Sequence, residues 1–152
     1  MRLRAWPALG VMVAAGLLTA QPAVAAQAVV KFYADSGDSC RRGAAEGTLD
    51  WVTGPVVRPT VRVDGYLADD PVNAPCAPDG MLSRATFSAY NGDTLVDSEA
   101  VKADDQRISL SFALSDPAGV TAIDRVVVQV CRFSATPIGI SYCGKAAEYK
   151  MP

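Results

Sequence analysis

The stretch RVVVQVCRFSATPIGISYCGKAAEYK, Arg125 to Lys150, decides how the rest of the chain is read. From Val126 to Cys131 four of six residues are valine, and β-branched side chains suit a pleated strand. Pro137 and Gly139 interrupt regular structure across Ser134–Gly139, and the pattern resumes at Ile140 and reaches Cys143. The stretch predicts a β-hairpin with a cysteine on each arm. If the hairpin turns about Pro137, residues whose numbers sum to 274 face one another, as Cys131 and Cys143 do. Cβ atoms opposed in this way lie about 4.5–5.5 Å apart, near disulfide reach. Val126, Val128 and Val130 share one face, and Val127, Gln129, Cys131 and Phe133 the other. Apolar residues on both faces indicate a central strand, with the even-numbered valines in the core.

Working outward, short strands surround this hairpin. Gln27–Tyr33 carries Val30 and Phe32, and Thr48–Thr53 carries Leu49 and Trp51 on one face, which puts Trp51 in the core. Thr60–Leu67 alternates cleanly, with Val61, Val63 and Leu67 opposite Arg62, Asp64 and Tyr66. Gly65 falls on the apolar face and is read as a bulge. Leu82–Tyr90 and Thr94–Ala100 flank Asn91-Gly92, a hairpin signal. Arg107–Leu114 alternates again, and a last short strand is expected near Ala146–Tyr149. No stretch beyond the N-terminal segment keeps a helical period over three turns. Seven to nine strands with Gly, Pro and Asp turns predict an all-β antiparallel sandwich, immunoglobulin-like or related, with a barrel as the alternative.

The N-terminal segment has the order of a secretory signal peptide: Arg2 and Arg4, an apolar run Leu9–Ala20, then Pro22 and the small-x-small site Ala23-Val24-Ala25. Cleavage is expected after Ala25, with Ala26 and Ala28 as alternatives, leaving one domain over residues 26–152. The apolar run is shorter than the ~20 residues of a bilayer span. All 16 acidic residues and twelve of the 14 basic ones lie beyond this segment, so the remainder carries −4. That balance lacks the basic stripe of a nucleic-acid binder, and neither nucleic acid nor, after cleavage, membrane is an expected partner. The protein is therefore read as secreted, and four cysteines in an exported chain imply disulfides. They are Cys40, Cys76, Cys131 and Cys143. Cys131–Cys143 and Cys40–Cys76 are the expected bonds, the second because both residues lie in long polar loops. A four-cysteine zinc site would show short C-x-x-C knuckles, and none is present.

The chain contains no histidine, which removes Ser-His-Asp and Cys-His catalysis and histidine metal sites. Carboxylate chemistry remains open through Asp69-Asp70 and Asp104-Asp105, but both pairs sit in turn-like sequence that reads as solvated. Asp35-Ser36-Gly37-Asp38-Ser39 offers oxygens to calcium but lacks the spacing of an EF-hand, and Asx-type turn bonding is the preferred reading. Lys145 and Lys150 read as solvated ends. No cofactor is expected, and stability should not depend on a divalent metal. Tyr33, Trp51, Tyr66 and Tyr90 could offer a sugar-stacking surface, with Tyr66 the best exposed of them.

Val128-Gln129-Val130-Cys131-Arg132, then Tyr142-Cys143-Gly144 and the final Met151-Pro152, resemble small secreted actinobacterial disulfide-bonded β-sandwich proteins of uncharacterised function. The resemblance covers the C-terminal hairpin and implies a disulfide-bonded sandwich without an activity. Streptomyces subtilisin inhibitors share size, compartment and four cysteines, but not the gaps of 35, 54 and 11 residues found here. Enediyne-binding apoproteins of the neocarzinostatin type close two short loops, and only Cys131 to Cys143 is similar.

The sequence thus predicts a non-enzymatic binding protein whose partner is an extracellular protein, a glycan or an envelope component. A small hydrolase using a carboxylate pair and a protease inhibitor are the alternatives. A buried, close carboxylate pair in a cleft would favour the first, and an extended, exposed loop braced by a disulfide the second. The expected contact surfaces are the loops Ala34–Gly43, Ala68–Gly80 and Ser134–Gly139, with Tyr66, Pro137 and Ile138 as ligand contacts.

Overall fold

Val126, Val128 and Val130 are fully buried, as their shared face requires, and the strand that carries them is the centre of one of two packed sheets. The computed structural model describes residues 26–38, 43–54, 58–69, 80–136 and 138–152. Among them are nine strands and no helix: β1 Ala26–Asp35, β2 Gly43–Thr53, β3 Thr60–Asp69, β4 Met81–Asn91, β5 Thr94–Ala103, β6 Arg107–Ser115, β7 Arg125–Ser134, β8 Tyr142–Cys143 and β9 Ala147–Lys150. The order β1-β2-β3-β6 forms a four-stranded sheet. The five-stranded sheet runs β5-β4-β7-β8, with β9 also on β7, and every pairing is antiparallel. This is the expected all-β sandwich. The expected signal peptide, Cys40, Cys76 and their bond lie outside the described residues.

The two inner faces meet through aromatic edges. Phe87 on β4 takes Phe32 at 5.4 Å and Phe112 at 5.2 Å between ring centres, both edge to face. Trp51 is buried, and its indole N–H donates to the Ile123 carbonyl at 3.2 Å, so its one polar atom is satisfied. Inward alternation holds along β4 and β7 and along β3 as far as Leu67, as period two demands, and both Ala68 and Asp69 beyond it are buried.

Cys131 pairs directly with Cys143, as the hairpin register predicts, and the two are disulfide-bonded. The returning arm differs from expectation. It is broken into β8 and β9, which pair β7 on the same side. Gly144 marks the break: a Cβ there would stand 1.8 Å from the Asp35 carbonyl, so the end of β1 packs onto the interruption.

Gly65 is not a bulge. It pairs in continuous register with Gly47 and with Leu110, and the one bulge in the described ladders lies between Ala89 and Tyr90. The β4–β5 connection is likewise one residue on from the expected turn. Asn91 pairs with Thr94, and Gly92, at φ +55°, opens the two-residue loop.

Both seams of the sandwich are closed by single side chains. The Tyr149 hydroxyl accepts the Tyr33 N–H at 2.9 Å and donates to the Tyr33 carbonyl at 2.7 Å, covering the edge of β1. At the opposite seam an Asp97 carboxylate oxygen accepts the Ser115 N–H at 2.9 Å. Edge backbone engaged in this way is a poor template for a further strand.

Candidate functional site

Two positions in the middle of the four-stranded sheet carry no side chain. Gly47 and Gly65 face one another across β2 and β3. A Cβ on Gly47 would lie 2.0 Å from the Asp64 carbonyl, and one on Gly65 would lie 2.2 Å from the Glu46 carbonyl. The two backbones therefore approach too closely for any other residue at either place.

The outward neighbours of these glycines are large. Register puts Tyr33, Glu46 and Tyr66 in one row across β1, β2 and β3, with Lys31 and Thr48 in the next. Together with Phe32 and Tyr149 these residues surround an open groove of about 660 Å³. That volume is in the range of small-ligand sites. Tyr33 is 44 % exposed. Tyr66 is half-buried and held on two sides: its hydroxyl donates to Glu46, and the Arg107 guanidinium lies 4.1 Å from its ring centre. Tyr149 enters from the β9 side, its ring edge-to-face with Phe32 at 6.4 Å. The groove combines aromatic walls, a backbone floor, one carboxylate, one ammonium and the hydroxyls of Thr48 and three tyrosines.

Of the expected contacts, Tyr66 lines this groove and Ile138 does not. Ile138 is 96 % exposed in the turn beyond β7, in the other sheet, and Pro137 lies outside the described residues. That turn is tight rather than extended. The Gly139 N–H donates to the Thr136 carbonyl at 3.2 Å, and the Ser134 and Thr136 hydroxyls lie 2.9 Å apart. Lys31, Glu46 and Thr48 were not singled out in the sequence. The signal was present, because alternation in β2 continued back to Gly43 places Glu46 opposite Tyr66.

The ends of the three expected contact loops gather at one end of the sandwich, where the inward columns turn polar. Asp69, Ser83 and Arg132 follow Leu67, Ala85 and Val130 on the buried face. Arg132 Nη2 lies 3.1 Å from Asp69 Oδ1, the Ser83 hydroxyl donates to the same oxygen at 2.7 Å, and the Asp105 N–H donates to Oδ2 at 3.1 Å. Asp69 is thus not the solvated turn residue expected from sequence. It is 1 % exposed because a guanidinium and two further donors replace its water. Asp70 lies outside the described residues. Carboxylate oxygens of Asp69, Asp104 and Asp105 lie within 4.8 Å of one another, but Asp69 is bound into the fold while Asp104 and Asp105 are exposed.

The described part of the Asp35–Ser39 loop forms the turn expected for it. The Gly37 N–H donates to Asp35 Oδ1 at 2.9 Å, and Asp38 Oδ2 accepts from Ser36 and Tyr142 at 2.9 and 3.0 Å. Compared with protein-family models, curated proteins and solved structures, the chain matches none of them.

Proposed function

We propose that this is an exported protein that acts by binding, without turnover, and that its ligand seats in the groove over Gly47 and Gly65. The groove itself carries the reading: two glycines that admit no side chain leave a floor of bare backbone, and tyrosines stand around it. The buried carboxylate at the loop end is held by Arg132 and Ser83, an arrangement suited to holding strands together rather than to proton transfer. Export is supported by the Cys131–Cys143 disulfide. Extracellular proteins, glycans and envelope components are the partner classes in reach of such a protein.

A second reading, protease inhibition, draws on Ile138 and Ile140, which are 96 % and 81 % exposed between the bonded cysteines. The tight Thr136–Gly139 turn fits that role less well than an extended segment would.

The test is retention of material from the producing culture on immobilised protein, comparing the natural chain with a Tyr33→Ala, Glu46→Ala double variant. The natural chain should retain a component that the variant loses and should release it unaltered. Equal retention by both, or chemical conversion of the retained component, contradicts the proposal.

A further inference from the structure

We infer that the ligand of the groove is a neutral chain of pyranose sugars, an inference that rests on the groove being the binding site. Three observations on the same few residues narrow the ligand class.

The first is charge. The groove brings one ammonium, Lys31, and one carboxylate, Glu46, to its lining. Within the lining these charges offset, and the nearby Arg107 guanidinium is stacked on the Tyr66 ring outside it, so an anionic or cationic ligand seated there would gain from one lining charge and be opposed by the other. A neutral polyhydroxyl ligand uses both, since a sugar hydroxyl donates to Glu46 and accepts from Lys31, while the Thr48 hydroxyl can do either.

The second is the edge of β1. A peptide would most readily add here as a further strand, hydrogen-bonding to exposed backbone. At Tyr33, beside the groove, that backbone is already engaged, because the Tyr149 hydroxyl bonds both its N–H and its carbonyl. A peptide strand paired at Tyr33 would have to displace Tyr149, whereas a sugar needs none of that backbone.

The third is shape. The groove is open to solvent and lined by tyrosines beside bare glycine backbone. An acyl chain requires an enclosed apolar tunnel to leave water, and the charged pair at this site would be stranded by it. A pyranose has one face of C–H groups that packs on a tyrosine ring and a rim of hydroxyls that reaches the polar groups beside it. The hold of Glu46 and Arg107 on Tyr66 fixes that ring before a ligand arrives, which lowers the entropy lost on binding.

The experiment is amide-shift mapping on the isotopically labelled exported protein. The probes are cellohexaose, chitohexaose and mannohexaose, with oligogalacturonate as an anionic control and an extended uncharged peptide as a second control. At least one neutral hexaose should shift the amides of Lys31, Glu46, Thr48 and Tyr66. Tyr33→Ala should weaken that binding about tenfold, in proportion to the loss of one aromatic packing contact. Its thermal unfolding should be unchanged, which separates lost contact from lost fold. If the groove amides respond to oligogalacturonate or the peptide and to no neutral hexaose, the sugar assignment is overturned while the groove stands as a binding site. If no probe moves the groove amides, or if a sugar moves only amides elsewhere, both the sugar assignment and the groove fail.

Discussion

Two clusters of the molecule each gather a carboxylate, an arginine and a hydroxyl, and they have opposite surroundings. At the loop end Asp69 and Arg132 are 1 % and 2 % exposed and Ser83 is fully buried. On the outer face of the four-stranded sheet Glu46 and Arg107 are exposed, on either side of Tyr66. Similar chemistry therefore does different work. The buried cluster fastens β3, β4 and β7 together, and removing one member takes a contact from the others in a layer closed to water. The surface cluster holds a ring in place and leaves polar groups facing solvent, where a ligand can use them.

The largest expected effect breaks the buried side of this contrast. Asp69→Ala removes the buried carboxylate that faces Arg132 Nη2 at 3.1 Å and should cost about 3–5 kcal/mol in urea unfolding. Glu46→Ala should cost less than about 1 kcal/mol in the same assay, because its partners remain hydrated. Equal costs would mean that burial does not distinguish the clusters.

The disulfide comes next. Opening Cys131–Cys143, which spans a sequence separation of 12, should cost about 3 kcal/mol in the chain-entropy model. Urea midpoints with and without reductant, on a chain lacking the other two cysteines, isolate this bond. Gly47→Ala is expected to cost about 1–3 kcal/mol through overpacking against the Asp64 carbonyl, and to diminish groove binding with it. A stable Gly47→Ala protein that still binds would remove the reason for the bare floor.

The smallest effect is confined to acid. The Thr121 hydroxyl, and then the N–H groups of Ala118, Thr121 and Val120, hold Asp116 below its ordinary value of 3.8, at about 2. A carboxylate lowered in the folded state contributes its full stabilisation above 3.8 and loses it as the pH falls towards 2. The difference in urea midpoint between the natural chain and Asp116→Ala should therefore be constant near neutrality and shrink across that acid window. A difference that persists below pH 2 would mean that the turn does not depend on the ionised carboxylate.

Much of this architecture was legible in the sequence. Alternation in Thr60–Leu67 and Arg107–Leu114, the valine run and the 274 register led to strands, core and disulfide that the structure shares. The reading stopped one step early at strand ends. Alternation continued from Leu67 to Asp69, from Ala85 back to Ser83 and from Val130 to Arg132 marks all three as inward. Asp69 fell in a stretch that reads as loop, and Ser83 and Arg132 lay in predicted strands without an inward assignment, because the partner that makes an inward polar group tolerable is distant in sequence. Gly65 was misread for a related reason. A lone glycine in a strand fits a bulge or a close approach equally well, and only the pairing with Gly47 decides. The groove was visible in the sequence through Tyr33 and Tyr66, since its other walls come from β2 and β9 and from residues of β1 not marked by any motif.

Lysine footprinting in the presence of ligand-bearing culture medium tests the central contrast most directly. Lys31 lines the groove, and Lys145, also exposed, lies two residues from the disulfide-bonded Cys143 at the other cluster's end. The account predicts slower acylation of Lys31 with Lys145 unchanged. Protection of Lys145 with Lys31 unchanged would place binding at the disulfide-braced end and contradict it.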